Sequence, residues 1–78
     1  MIEPEEIHKM LTAAFPGAEI TVQDTTGTRD HFYVTVLWDG FMEKKLIAQH
    51  QMVNKALRVP LANESIHALQ LKTAALSR

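Results

Sequence analysis

The apolar residues of this chain change their period twice, and that restricts its fold more than any other feature. Between residues 31 and 38, Phe32, Val34, Val36 and Trp38 alternate with His31, Tyr33, Thr35 and Leu37, the two-residue period of a half-buried strand. In the stretch Phe41 to Leu57, FMEKKLIAQHQMVNKAL, Leu46, Ile47, His50, Val53 and Leu57 recur at steps of one, three and four, which marks one face of an amphipathic helix. Val59-Pro60 ends that helix, because proline disfavours helical geometry at the residue before it. The two-residue period then returns, with His67, Leu69 and Leu71 alternating with Ala68, Gln70 and Lys72. Strand, helix and strand in that order predict a right-handed crossover that brings the last strand in parallel.

The first half extends this unit. Pro4 with Glu5 and Glu6 suits the first turn of a helix. Ile7, Met10, Leu11 and Ala14 form its stripe and Pro16-Gly17 stops it. Ala18, Ile20 and Val22 alternate with Glu19, Thr21 and Gln23, a strand with one wet face. The polar loop DTTGTRD, Asp24 to Asp30, joins that strand to the next as an antiparallel hairpin. Asp39-Gly40 turns the chain into the central helix, and Leu61 to Ser65 can add one short helical turn. The expected fold is therefore α+β: a small αββααβ domain spanning residues 1–78, with a three-stranded mixed sheet and helices on one face.

Composition excludes several classes of function. Apolar residues at 46% and charged ones at 22% are ordinary globular values. Cysteine is absent, so the chain has no disulfide framework and no thiolate ligand of its own. No apolar run approaches the roughly 18 residues of a membrane span, and no basic-then-apolar leader opens the chain. The expectation is a cytoplasmic protein without membrane attachment. Residues 1–40 carry Lys9 and Arg29 against seven acids, a net −5. Residues 41–78 carry Lys44, Lys45, Lys55, Arg58, Lys72 and Arg78 against Glu43 and Glu64, a net +4. Six scattered cations read more readily as a solvated face than as a nucleic-acid footprint.

Catalytic chemistry has little to work with. Ser65 and Ser77 do not lie in a strand-to-helix elbow, and the flanking positions of Asp24 and Asp30 are explained by turn chemistry. The glycines at 17, 27 and 40 form neither a phosphate loop nor the GxxG clamp of a KH module. The chain reads as a non-enzyme. Its four histidines are the side chains with metal affinity, but no two-histidine helical spacing makes a self-contained zinc site. His8 lies off the first helix's stripe and reads as exposed. His50 lies in the central stripe and reads as a buried, hydrogen-bonded histidine used in packing or docking, next to the exposed Lys44 and Lys45. His67 opens the last strand, where on its residues alone it reads as an edge histidine satisfied by a backbone carbonyl. His31 opens the second strand and can approach His67 if the strands are suitably ordered.

The ordered set Asp24-x-Thr26-Gly27, Asp30-His31-Phe32, Phe41-x-x-Lys44, Gln49-His50-Gln51-x-Val53-Asn54-x-Ala56-Leu57 and Ile66-His67-Ala68-Leu69-x-Leu71-Lys72-Thr73 resembles the BolA family. Two features depart from it. Glu43 stands where many members have Gly, a Glu-Lys form similar to that of mitochondrial BolA-like proteins, and the chain ends Ala74-Ala75-Leu76-Ser77-Arg78 instead of in a Thr-Pro-Glu-Glu-Trp type of tail. The resemblance implies the same architecture, similar to the class II KH fold. It also implies pairing with a monothiol glutaredoxin around a bridging [2Fe–2S] cluster, to which the partner and its glutathione give thiolates and this chain gives His67. The isolated chain would then hold no cofactor and be a monomer or weak homodimer. A second ligand in the loop is implied as well. In the short cysteine-bearing form it stands four residues before the aromatic that opens the second strand, which here is Thr28, a poor iron–sulfur ligand. His31, the nearby imidazole, either takes its place or leaves that position to water or a partner group, which would make the cluster labile. The resemblance equally permits a nucleic-acid-binding transcriptional regulator, for which only weak nucleic-acid binding is expected from these cations.

Overall fold

The structure, a computed structural model, describes residues 1–76, so that Ser77 and Arg78, both weighed above, lie outside the described residues. Pro4 opens α1 (Pro4–Ala14), where its missing N–H costs no hydrogen bond, and Glu5 and Glu6 occupy the electropositive first turn. Ile7 and Leu11 point into the core, and Phe15 just beyond the helix is buried with them. β1 (Glu19–Asp24) pairs antiparallel with β2 (His31–Leu37), from Glu19 opposite Leu37 to Asp24 opposite Phe32. β3 (Ala68–Ala74) pairs parallel with the other side of β2, from His31 opposite Ala68 to Leu37 opposite Ala74. The expected α+β fold, with a mixed three-stranded sheet, is the observed one. Because β2 and β3 run the same way, their first residues lie side by side, at the sheet end that also carries the β1–β2 loop.

Phe32, Val34 and Val36 turn the inner face of β2 into the core, joined by Ile20 and Val22 of β1 and Leu69 and Leu71 of β3. α1 packs on β1, α2 (Leu46–Ala56) on β3, and the two helices touch each other over that face. Full burial of a side chain such as Phe32, Leu11 or Leu57 contributes on the order of 1.5–3 kcal/mol. Beyond β2, a 3-10 turn (Asp39–Phe41) folds Phe41 back beneath Trp38. Phe15, Trp38 and Phe41 meet at centroid distances of 5.1 to 5.5 Å in edge-on or tilted contacts. The Trp38 indole N–H donates to the Pro16 carbonyl at 2.8 Å, which ties the end of β2 to the end of α1.

Three sequence expectations need correction. The central helix begins at Leu46, because the chain passes through the 3-10 turn and then through Glu43 at φ 65° before it can coil. Its buried face is set by Gln49, Val53 and Leu57, while Leu46 and Ile47 are 59% and 67% exposed. Val53 belongs to both possible stripes, and polar Gln49 masks the true one. Its Nε2 donates to the Lys44 carbonyl at 2.9 Å, while its Oε1 is covered without a partner among the described residues. Finally, α2 ends at Ala56, before Pro60. That proline sits in the first turn of α3 (Arg58–Ala62), again where no N–H is needed, and its carbonyl accepts the N–H of Ile66 at 3.1 Å.

Candidate functional site

The loop from Asp24 to Asp30 is built by its first residue. Asp24 Oδ1 accepts the backbone N–H groups of Thr26 (3.3 Å) and Gly27 (2.9 Å), and Oδ2 accepts that of Arg29 at 3.0 Å. Gly27 and Arg29 both take positive φ, 77° and 59°, which curls the loop back over the start of β2. The N-terminal segment holds it there. The Ile2 N–H donates to the Arg29 carbonyl at 3.2 Å, and the Arg29 guanidinium pairs with Glu3 at 2.7 Å. Exposed pairs of this kind contribute only about 0–1 kcal/mol, so the Glu3 contact orients more than it stabilises.

That loop delivers Asp30 between two histidines. The Asp30 backbone carbonyl accepts the N–H groups of His67 (2.7 Å) and Ala68 (3.2 Å), docking the entry of β3 against the entry of β2. Its side chain reaches both imidazoles. Oδ1 lies 2.8 Å from His31 Nδ1 in a hydrogen bond, and Oδ2 lies 3.4 Å from His67 Nδ1, an ion-pair distance. The two rings stand edge to face, 6.2 Å apart. The Thr28 hydroxyl donates to Asp30 Oδ1 and lies 2.6 Å from the Thr26 hydroxyl. This Thr28 bond, then the His31 bond, holds the Asp30 carboxyl below its ordinary 3.8; partial burial opposes the shift, and the charges of His31 and His67 add to it.

His67 and His31, the two candidate ligands, are therefore brought together, on one residue before β3 and on the first residue of β2. Thr28 is beside them, with its hydroxyl already engaged. With Nδ1 of each ring turned to Asp30, Nε2 is the nitrogen left for a ligand, the arrangement in which a carboxylate orients a metal-binding imidazole. The hollow next to His31, lined by Thr25, His31, Phe32, Ala68 and Gln70, measures about 140 Å³, below the roughly 300 Å³ where small-molecule pockets begin. The site suits a ligand shared at a surface better than an enclosed substrate. No group of three or more His, Cys, Asp or Glu among the described residues could hold a metal ion, so the pair has only part of a ligand set.

His50, Lys44 and Lys45 are not linked to this cluster by any hydrogen bond or ion pair among the described residues. Lys44 and Lys45 are exposed at the start of α2. His50 is half-buried, and the expected hydrogen bond is missing: its Nε2 is covered without a partner among the described residues. The residue that sequence reasoning passed over is Asp30. A carboxylate immediately before a strand-opening histidine was the available signal, but the loop position alone accounted for it.

Residues 11–78 match the family described as BolA-like protein. An uncharacterized protein of Rickettsia prowazekii is 32% identical over 75 residues, 96% of each chain. Its NMR structure superposes with a TM-score of 0.73 over 97% of both chains. The protein BOLA2 of Arabidopsis thaliana is 33% identical over 75 residues, 95% of this chain and 78% of the relative. The DNA-binding transcriptional regulator BolA of Vibrio cholerae is 43% identical over 47 residues, 60% of this chain and 43% of that one. The chain belongs to the BolA-like family.

Proposed function

We propose that the chain is a non-catalytic adaptor that pairs with a monothiol glutaredoxin around a bridging [2Fe–2S] cluster, in cluster trafficking or iron regulation. The observation that carries this reading is the pair of imidazoles at the adjacent entries of β2 and β3, each with Nδ1 facing Asp30. Histidine is a competent ligand to one iron of such a cluster, where it replaces thiolate and raises the potential. A cysteine-free chain can supply only the imidazole share, so the thiolates have to come from the partner and its glutathione. His67 is the first ligand. His31 is the second in place of the engaged Thr28, and the cluster is cargo held between two proteins. His50, Lys44 and Lys45 would serve the docking surface. A cytoplasmic location remains part of this proposal; among the described residues, no helix is long and apolar enough to cross a membrane.

Co-expression with a monothiol glutaredoxin tests the reading. The two proteins should co-purify as a coloured heterodimer with the visible absorption of a [2Fe–2S] cluster. A cluster-loaded glutaredoxin that elutes separately from a colourless BolA-like chain would reject it. One observation favours a second reading, a transcriptional regulator: the similarity to the Vibrio cholerae protein. The scattered cations and the missing GxxG clamp weigh against tight binding of nucleic acid.

A further inference from the structure

We propose that Asp30 is the positioning residue of this site, a single carboxylate that fixes both imidazoles as Nδ1–H tautomers and so leaves both Nε2 lone pairs for an external ligand. The inference rests on the functional reading above only for the identity of that ligand. An ionised carboxylate is a pure acceptor, so the His31 nitrogen that bonds it must be a donor, and the His67 nitrogen 3.4 Å from it is favoured as one. Which nitrogen of a histidine is free to bind is set by the hydrogen bond that the other makes. Asp30 Oδ1 serves His31 at 2.8 Å and Oδ2 faces His67 at 3.4 Å, so each oxygen is directed to a different ring.

The carboxylate is itself held from both sides. Thr28 donates to Oδ1, and the backbone carbonyl of Asp30 accepts the N–H groups of His67 and Ala68. Asp30 thus joins the loop, β2 and β3 at the one point where the histidines meet. The grip is unequal. His31 depends on the side chain alone, whereas His67 is also anchored through its backbone.

The test uses the full isolated chain labelled with ¹⁵N, at a pH where the imidazoles are neutral. Long-range proton–nitrogen spectra distinguish Nδ1–H from Nε2–H directly. In the wild type both His31 and His67 should be Nδ1–H tautomers. Asp30→Ala should move His31 most toward Nε2–H and His67 less, with His8 and His50 unchanged as internal references. Asp30→Asn is the isosteric control: its amide NH2 is a donor in place of one carboxylate oxygen, so the ring facing it should switch to Nε2–H even where the alanine variant folds poorly. Unchanged tautomers in a folded Asp30→Asn protein would overturn the proposal, whatever the cluster does.

Cluster lifetime in the complex with glutaredoxin is the second arm. Outer-shell partners of metal-bound histidine are worth about 10–100-fold, so loss should be at least several-fold faster in Asp30→Asn. Switched tautomers with an unaltered lifetime would also overturn the positioning role. Switched tautomers in a chain whose wild type never takes up a cluster would reject the adaptor reading and leave Asp30 as the residue that orients both rings.

Discussion

At the scale of single residues, two positions that depart from the family pattern can be given physical consequences. Thr28 stands where the short cysteine-bearing form has its loop ligand, and its hydroxyl is committed to Asp30. In the proposed complex ligation would then fall to His31, whose Nδ1 is held 2.8 Å from that carboxylate. His31→Ala should speed cluster loss nearly as much as His67→Ala and shift the visible spectrum of the complex. A silent His31→Ala, together with a Thr28→Cys that slows loss, would return the loop site to position 28. Glu43 is the second position. Many family members have Gly there, and the backbone shows why, since φ is 65° and a side chain in that region costs roughly 1–2 kcal/mol. Gly also loses more chain entropy on folding, which offsets part of the gain. Glu43→Gly should raise stability by up to about 1 kcal/mol, read as a higher urea midpoint with an unchanged slope. A lower midpoint would mean that the Glu43 side chain makes a stabilising contact larger than the backbone strain.

At the scale of elements, α2 separates what the sequence could reveal from what it could not. Its buried face includes Val53 and Leu57, whereas Leu46 and Ile47 lie 59% and 67% exposed. Val53→Asp puts a charge into the core and should leave the domain largely unfolded, because a domain of this size holds only about 4–12 kcal/mol in total. Ile47→Asp should change stability by less than about 0.5 kcal/mol. Circular dichroism during urea titration compares them, and equal destabilisation would mean that the helix is turned as its apolar residues alone suggest. The strands were legible because an alternating run such as Phe32, Val34 and Val36 admits one buried face. A short helix with Leu46, Ile47 and Val53 admits two, and the choice falls to a buried Gln49 whose partner is a backbone carbonyl outside the helix. The short α3 was misplaced for a related reason: Pro60 stops a helix interior but fits a first turn, and sequence does not say which it occupies. At the site, the imidazoles of His31 and His67 could be picked out by type and position. The carboxylate between them was legible only as the neighbour of His31, because its reach to His67 depends on the side-chain geometry where β2 and β3 begin.

At the scale of the whole molecule, the question is what kind of surface the chain offers. Among the described residues its cations are spread over α1 (Lys9), the β1–β2 loop (Arg29), the approach to α2 (Lys44, Lys45), α2 (Lys55), α3 (Arg58) and β3 (Lys72), and the net charge of the chain is −1. Binding to duplex DNA should therefore be weak, without sequence preference, and should fall steeply between 50 and 200 mM salt, as expected of phosphate contacts. A tight, sequence-specific complex at physiological salt would favour the regulator over the adaptor. The end of the sheet where β2 and β3 begin offers something different: two imidazoles beside one carboxylate, which under the proposed function form part of a ligand set that a second molecule completes. The most direct measurement of that claim is the nitrogen hyperfine spectrum of the reduced cluster in the complex with monothiol glutaredoxin, recorded by pulsed electron paramagnetic resonance. The wild-type complex should show strongly coupled nitrogen from two imidazoles, of which His67→Ala should lose one, together with most of the cluster's lifetime. Identical spectra and lifetimes for the two complexes would mean that His67 does not ligate the cluster, and the account of this site would fail.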